Sequence, residues 1–106
     1  MLVFFHLPYC YRCKEMKSRV YKKADIIDLV NERFIPVMVD VGKDKKIVES
    51  FGVKFVPTHI FIIPDGTQVL RKKDVISKAR FQKMLLFISD QKYKNMDFDS
   101  YEKSGA

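Results

Sequence analysis

The stretch His6-Leu7-Pro8-Tyr9-Cys10-Tyr11-Arg12-Cys13-Lys14 holds the only two cysteines of the chain, spaced C-x-x-C. Ahead of it, Leu2-Val3-Phe4-Phe5-His6-Leu7 is a continuous apolar run with one histidine, the pattern of a central strand covered on both faces. Pro8 stops that run. Behind the motif, a helix-like segment is expected from Cys10 to about Asn31 or Glu32, with a kink near Ser18 to Tyr21. Met16, Val20, Ile26, Ile27 and Val30 make its expected buried stripe. Strand, C-x-x-C, helix is the context in which the motif points to thiol chemistry.

The reason is physical. A thiol attacks a disulfide only as thiolate. A cysteine opening a helix faces unpaired backbone N–H groups and the positive end of the helix dipole, and both favour the thiolate over the thiol. Cys10 is placed to be that nucleophile. Cys13, one turn on and on the same side, is placed to attack the resulting mixed disulfide and release the partner. Arg12 and Lys14 add positive charge beside them.

The rest of the chain reads outward from this unit. Phe34 to Val41 is expected as a second strand, with Pro36 near its beginning, where a missing donor is tolerated. Lys43 to Phe51 reads as a short helix closed by Gly52. His59 to Ile63 and Val69 to Lys72 read as two strands joined by a turn at Pro64-Asp65-Gly66. Val56-Pro57 precedes the first of these, and a proline there calls for an edge position or a special turn such as a cis peptide. Ser77 or Asp74 is expected to cap a last helix that buries Phe81, Met84, Leu85 and Ile88. From about Lys92 the apolar periodicity fades, so residues 1–92 are expected as the domain and 93–106 as a C-terminal tail, loose from Lys103 to Ala106. The order β-α-β-α-β-β-α predicts an α/β fold, a mixed central sheet with helices on both faces.

Composition narrows the function. One domain fits a length of 106 residues. No apolar run approaches the ~20 residues of a membrane span. Met1 to Leu7 lacks a preceding basic residue and reads as a strand rather than a signal peptide, so a cytoplasmic protein is expected, with a periplasmic one left open if the chain is processed. The net charge of +7 raises nucleic acid. However, the lysines are scattered among acidic residues as on ordinary solvated faces, so nucleic-acid binding is not expected as the primary role, and attraction to an acidic protein partner is about as well supported. His6 and His59 are the remaining donors for a zinc site with the cysteines, and their spacing fits no finger, so no metal is expected.

In sequence the chain resembles the thioredoxin superfamily over roughly residues 1–92. Three ordered features carry the resemblance: Cys10-Tyr11-Arg12-Cys13 after a strand, Val56-Pro57-Thr58, and Pro64-Asp65-Gly66 at the final hairpin. Cys13-Lys14-Glu15-Met16 is most similar to the thioredoxin-like domains of thiol:disulfide interchange reductases. The resemblance implies a minimal thioredoxin-like fold and a protein disulfide oxidoreductase that needs no cofactor. Cys10 would attack and Cys13 resolve. Pro57 would be the cis-proline beside the C-x-x-C, and Val56 would offer its backbone to an extended substrate. Tyr11 and Arg12, between the cysteines, are candidates for substrate contact. The expected partners are protein disulfides or dithiols and a redox partner, met by a monomer. The chain departs from the family in opening directly on the strand and in carrying Phe4 where a buried acidic residue is usual. Glu15 and His6 are the candidates to replace that acid. A binding module that grips extended peptides near Val56-Pro57 with little turnover is the alternative reading.

Overall fold

A computed structural model describes residues 1–104. Strand β1 (Leu2–His6) is the hub: the sheet order is β2-β1-β3-β4, with β2 Pro36–Asp40, β3 Thr58–Ile62 and β4 Gln68–Lys73. β1 runs parallel to β2 and antiparallel to β3, and β3 is antiparallel to β4. The expected mixed α/β sheet is therefore the one found.

The continuous apolar run of β1 has the predicted cause. Alternate side chains enter two cores. Leu2 and Phe4 pack with helices α1 (Tyr11–Met16), α2 (Ala24–Arg33) and α4 (Lys78–Ser89). Val3 and Phe5 point the other way, joining Val39, Val53 and Ile60 beside α3 (Lys45–Phe51). β2 is an edge strand. Leu2 N–H bonds to Ile35 O at 2.9 Å and Val41 N–H to His6 O at 3.0 Å, so the odd-numbered residues face β1. Pro36 thus turns its missing donor to the open edge, where nothing is lost.

The long helix expected after the motif is broken. α1 passes into a π-helical turn over Lys17–Tyr21, where Lys22 N–H reaches Lys17 O at 3.0 Å. Lys23 is then extended and α2 restarts at Ala24. The break shifts the phase of the stripe. Met16, Val20, Ile26 and Val30 are buried as expected, but Ile27 is 41% exposed, because a count along one unbroken helix no longer applies past Lys23.

Gly52 closes α3 in the left-handed region, φ 63°. Gly66, at φ 93°, lets the hairpin turn between β3 and β4. Ser77, not Asp74, caps α4: its hydroxyl accepts from Arg80 N–H at 3.3 Å. Ser77→Ala is expected to cost about 1 kcal/mol. In urea this reads as a lower midpoint at unchanged slope; an unchanged midpoint would contradict it.

The fading periodicity after Lys92 hides a further helix, α5 (Phe98–Lys103), capped by the Asp97 side chain. Phe98 and Tyr101 are buried, with ring centroids 5.5 and 5.2 Å from Phe87, which the sequence reading had not placed in the core. Two aromatics in six residues are too few to show a period, yet enough to extend the same core. Lys103 therefore ends a helix, and Gly105-Ala106 lie outside the described residues.

Candidate functional site

The site sits where β1 ends and α1 begins. Cys10 is extended (φ −82°, ψ 115°) and occupies the cap position of α1, its Sγ accepting the Cys13 N–H at 3.1 Å. No acidic residue stands in the first turn to compete for the helix's positive end. Cys10 is half-buried and Cys13 fully buried, both as free thiols. Tyr9 and Tyr11 on either side of Cys10 are 94% and 78% exposed, so they cover nothing and are open to a partner.

Burial raises the Cys13 thiol to about 11, with the hydrogen bond its S–H donates to Cys10 pushing the same way and a Leu7 backbone bond and Lys17 opposing. At neutral pH Cys13 is a protonated thiol. Two of its raising influences, the hydrogen bond and the charge, come from Cys10 itself. Lys17 approaches His6 Nδ1 at 3.3 Å and, with burial first, holds the His6 imidazole below its usual range.

Below the site, Phe4 does stand where an acid was looked for. Its ring lies 4.8 Å from His59, stacked nearly parallel at 9°, and 5.5 Å from His6. His59 is fully buried, and neither ring nitrogen finds a protein partner. Burial depresses it to about 3. Glu15 is engaged instead by Arg19 at 3.8 Å.

Arg12 and Asp74 join the motif to the strand ends. The Arg12 Nε donates to Asp74 Oδ1, which also accepts from Val75 N–H at 2.8 Å. The backbone N–H of Asp74 donates to Pro57 O at 2.7 Å. Pro57 is buried, and its bond to the half-buried Val56 is cis. The hydrogen bond from Arg12 holds the Asp74 carboxyl below its ordinary range. Cys10, Cys13, Arg12 and Pro57 are thus gathered at one end of the sheet, and Cys10 and Val56 rest against the same core. Tyr11 points away into solvent.

Sequence reasoning missed Asp74 as a partner of Arg12, and nothing local announces a contact between residues so far apart. It also missed Lys17; its position one turn beyond Cys13 was the available signal. Among the described residues no cluster of three or more His, Cys, Asp or Glu comes together. Nor is any helix among them long and apolar enough to cross a membrane.

The sequence profile of the thioredoxin-like domain matches residues 1–89. No curated protein matches the chain by sequence. Among solved structures, a thioredoxin-fold protein from Helicobacter pylori is similar at TM-score 0.86 and 20% identity, over 98% of this chain and 78% of that one. A thioredoxin from Thermus thermophilus gives TM-score 0.74 and 26% identity, over 82% and 71%. The reduced C-terminal domain of Neisseria meningitidis DsbD gives 0.65 and 19%, over 80% and 76%. With the profile spanning most of its length and the same fold in these neighbours, this chain belongs to the thioredoxin-like domain family.

Proposed function

We propose that the protein is a thiol:disulfide oxidoreductase working through Cys10 and Cys13. The observation that carries the reading is the Cys10 sulfur at the start of α1, receiving the Cys13 N–H with the second thiol buried behind it. The Cys10 thiolate attacks one sulfur of a substrate disulfide, and the other sulfur leaves as thiolate. Once Cys10 is in the mixed disulfide, its hydrogen bond and its charge no longer hold the Cys13 proton in place. Cys13 then gives up that proton to the substrate thiolate released in the first step and attacks the Cys10 sulfur, and the second substrate sulfur leaves and takes a proton from water. The substrate leaves as a dithiol, and a Cys10–Cys13 disulfide remains, so the substrate is reduced as the pair is oxidised. The reverse sequence oxidises a dithiol. Neither direction draws on a cofactor. Lys17 favours the transient Cys13 thiolate by charge.

An extended substrate would lie against the Val56 backbone, held by main-chain hydrogen bonds in the manner of an added strand. The test is to trap the intermediate. Cys13→Ser is expected to accumulate stable mixed disulfides with protein substrates through Cys10, released by reductant and seen as shifted bands on a non-reducing gel. A Cys13→Ser protein that captures no more partner than the double Cys10→Ser/Cys13→Ser variant would refute the proposal.

A further inference from the structure

One residue on from Cys10 begins a groove of about 530 Å³ along the outer side of α1 and the π turn. It begins at Tyr11, the residue after the nucleophile, and is lined by Lys14, Lys17, Arg19 and Lys22. The only acidic residue lining it is Glu15, whose carboxylate is 3.8 Å from the Arg19 guanidinium. Four cations therefore share one groove with a single carboxylate that one of them already faces. Lys14 and Lys17, one turn apart on the helical surface, are like-charged neighbours, an arrangement that costs helix stability. Such a local cost, uncompensated inside the chain, marks a surface shaped by something other than folding.

Resting on the oxidoreductase reading, we infer that this groove docks an acidic segment of the protein that exchanges disulfides with Cys10. Charge complementarity selects the sign of the occupant. Position selects its kind: what fills the groove ends one residue from the reactive sulfur, so it belongs to the molecule that brings the disulfide. A nucleic acid would have no reason to end at Cys10. The exposed ring of Tyr11 marks the passage from groove to sulfur, and the long lysine stems give the segment an apolar floor. Exposed charges of this kind act mainly on the association rate and weaken with salt.

The test uses the Cys13→Ser protein and three short peptides, each with one cysteine activated as a mixed disulfide with thionitrobenzoate. They differ only in a flank of aspartates, lysines or serines. In each case the Cys10 thiolate attacks the peptide sulfur, the bond to thionitrobenzoate breaks, and the coloured thiolate leaves with the electron pair, so the release reports the rate. The acidic probe is expected to react about tenfold or more faster than the basic one at about 0.01 M salt, and the ratio to approach one at about 1 M, where the Debye length has fallen from about 30 Å to about 3 Å. Lys14→Glu/Arg19→Glu/Lys22→Glu in the same background should reverse the order. Equal rates for the two charged probes, or an order untouched by the triple change, would overturn the docking site. So would a cysteine-free acidic peptide that competes less well than a single-stranded oligonucleotide of equal charge, since the groove would then be a nucleic-acid site. The serine-flanked probe separates the two readings: if it reacts no faster than with free cysteine, the oxidoreductase reading itself fails. Groove binding is then judged alone, from the fluorescence anisotropy of the labelled acidic peptide with the Cys10→Ser/Cys13→Ser protein, where salt-sensitive binding supports the docking site and its absence overturns it.

Discussion

Cys10→Ser is expected to bring dithiothreitol-driven insulin reduction down to the uncatalysed background, a fall of at least about a thousandfold if the rate rests on this nucleophile. Serine keeps the cap. Its hydroxyl can accept the Cys13 N–H as the sulfur does at 3.1 Å, and serine is among the preferred residues at a helix start, so the fold should persist. What is lost is the sulfur that the proposed mechanism uses to attack the substrate disulfide. Cys13 cannot replace it: it is fully buried, and burial foremost holds its thiol at about 11. The pH dependence of the residual reaction checks this account. With Cys10 gone, its hydrogen bond and charge no longer raise Cys13, but burial, the largest cause, remains, so any remaining thiol reactivity should still rise only above neutrality. Insulin reduction by Cys10→Ser at the wild-type rate would remove the basis of the proposed mechanism.

The second large effect concerns acid stability. His59 is stacked on Phe4 and lies 5.7 Å from Tyr21 and 5.3 Å from Phe81, with no partner for either nitrogen, and burial holds it at about 3 when folded. An unfolded histidine titrates near 6.5. Above that pH neither state binds the proton and His59 contributes no pH dependence. As pH falls from about 6.5 towards 3, the unfolded state takes up a proton that the folded state refuses, so stability declines. The slope approaches about 1.4 kcal/mol per pH unit, for a total on the order of 4 kcal/mol, a large share of a small domain's margin. His6, also lowered by burial and by Lys17, acts in the same direction. The carboxylates held low by hydrogen bonds, Asp25, Asp65, Asp74 and Asp97, lose their contribution only as pH drops below about 4, which leaves the window above that to the histidines. His59→Phe keeps the ring stack and removes two unpartnered polar atoms. It is expected to flatten the limb between pH 6.5 and 4 and to add about 1–3 kcal/mol at neutral pH. Urea midpoints measured across that range decide the matter. An equally steep decline in His59→Phe would show that the acid sensitivity lies elsewhere.

Taken together, the two results bear on different parts of one end of the sheet. Cys10 is presented by a helix start and His59 is enclosed beneath it. Phe4 links them, its ring touching His59 while its own strand leads directly to the motif. The place usually filled by an acid in the family is thus part of an aromatic stack that stays neutral, and Lys17, approaching from the first turn beyond Cys13, is the positive charge that opposes the raising of the buried thiol.

Much of this was legible in the chain because it is local. The apolar run of β1, Pro8, and the C-x-x-C opening a helix are neighbours in sequence, and strand period and helix start are set by neighbours. The same holds for the turn at Gly66 and the cap at Ser77. Tertiary structure decided the rest. Arg12 meets Asp74 only because β4 finishes at the same end of the sheet as β1. His59 reads as an ordinary strand residue until α4 and the π turn close over it with Phe81 and Tyr21. Phe98 and Tyr101 carry no period of their own and fold as a helix because Phe87 offers them a surface to bury. Sequence spacing records what a residue's near neighbours impose, whereas burial and charge pairing depend on which distant surfaces the sheet order brings together.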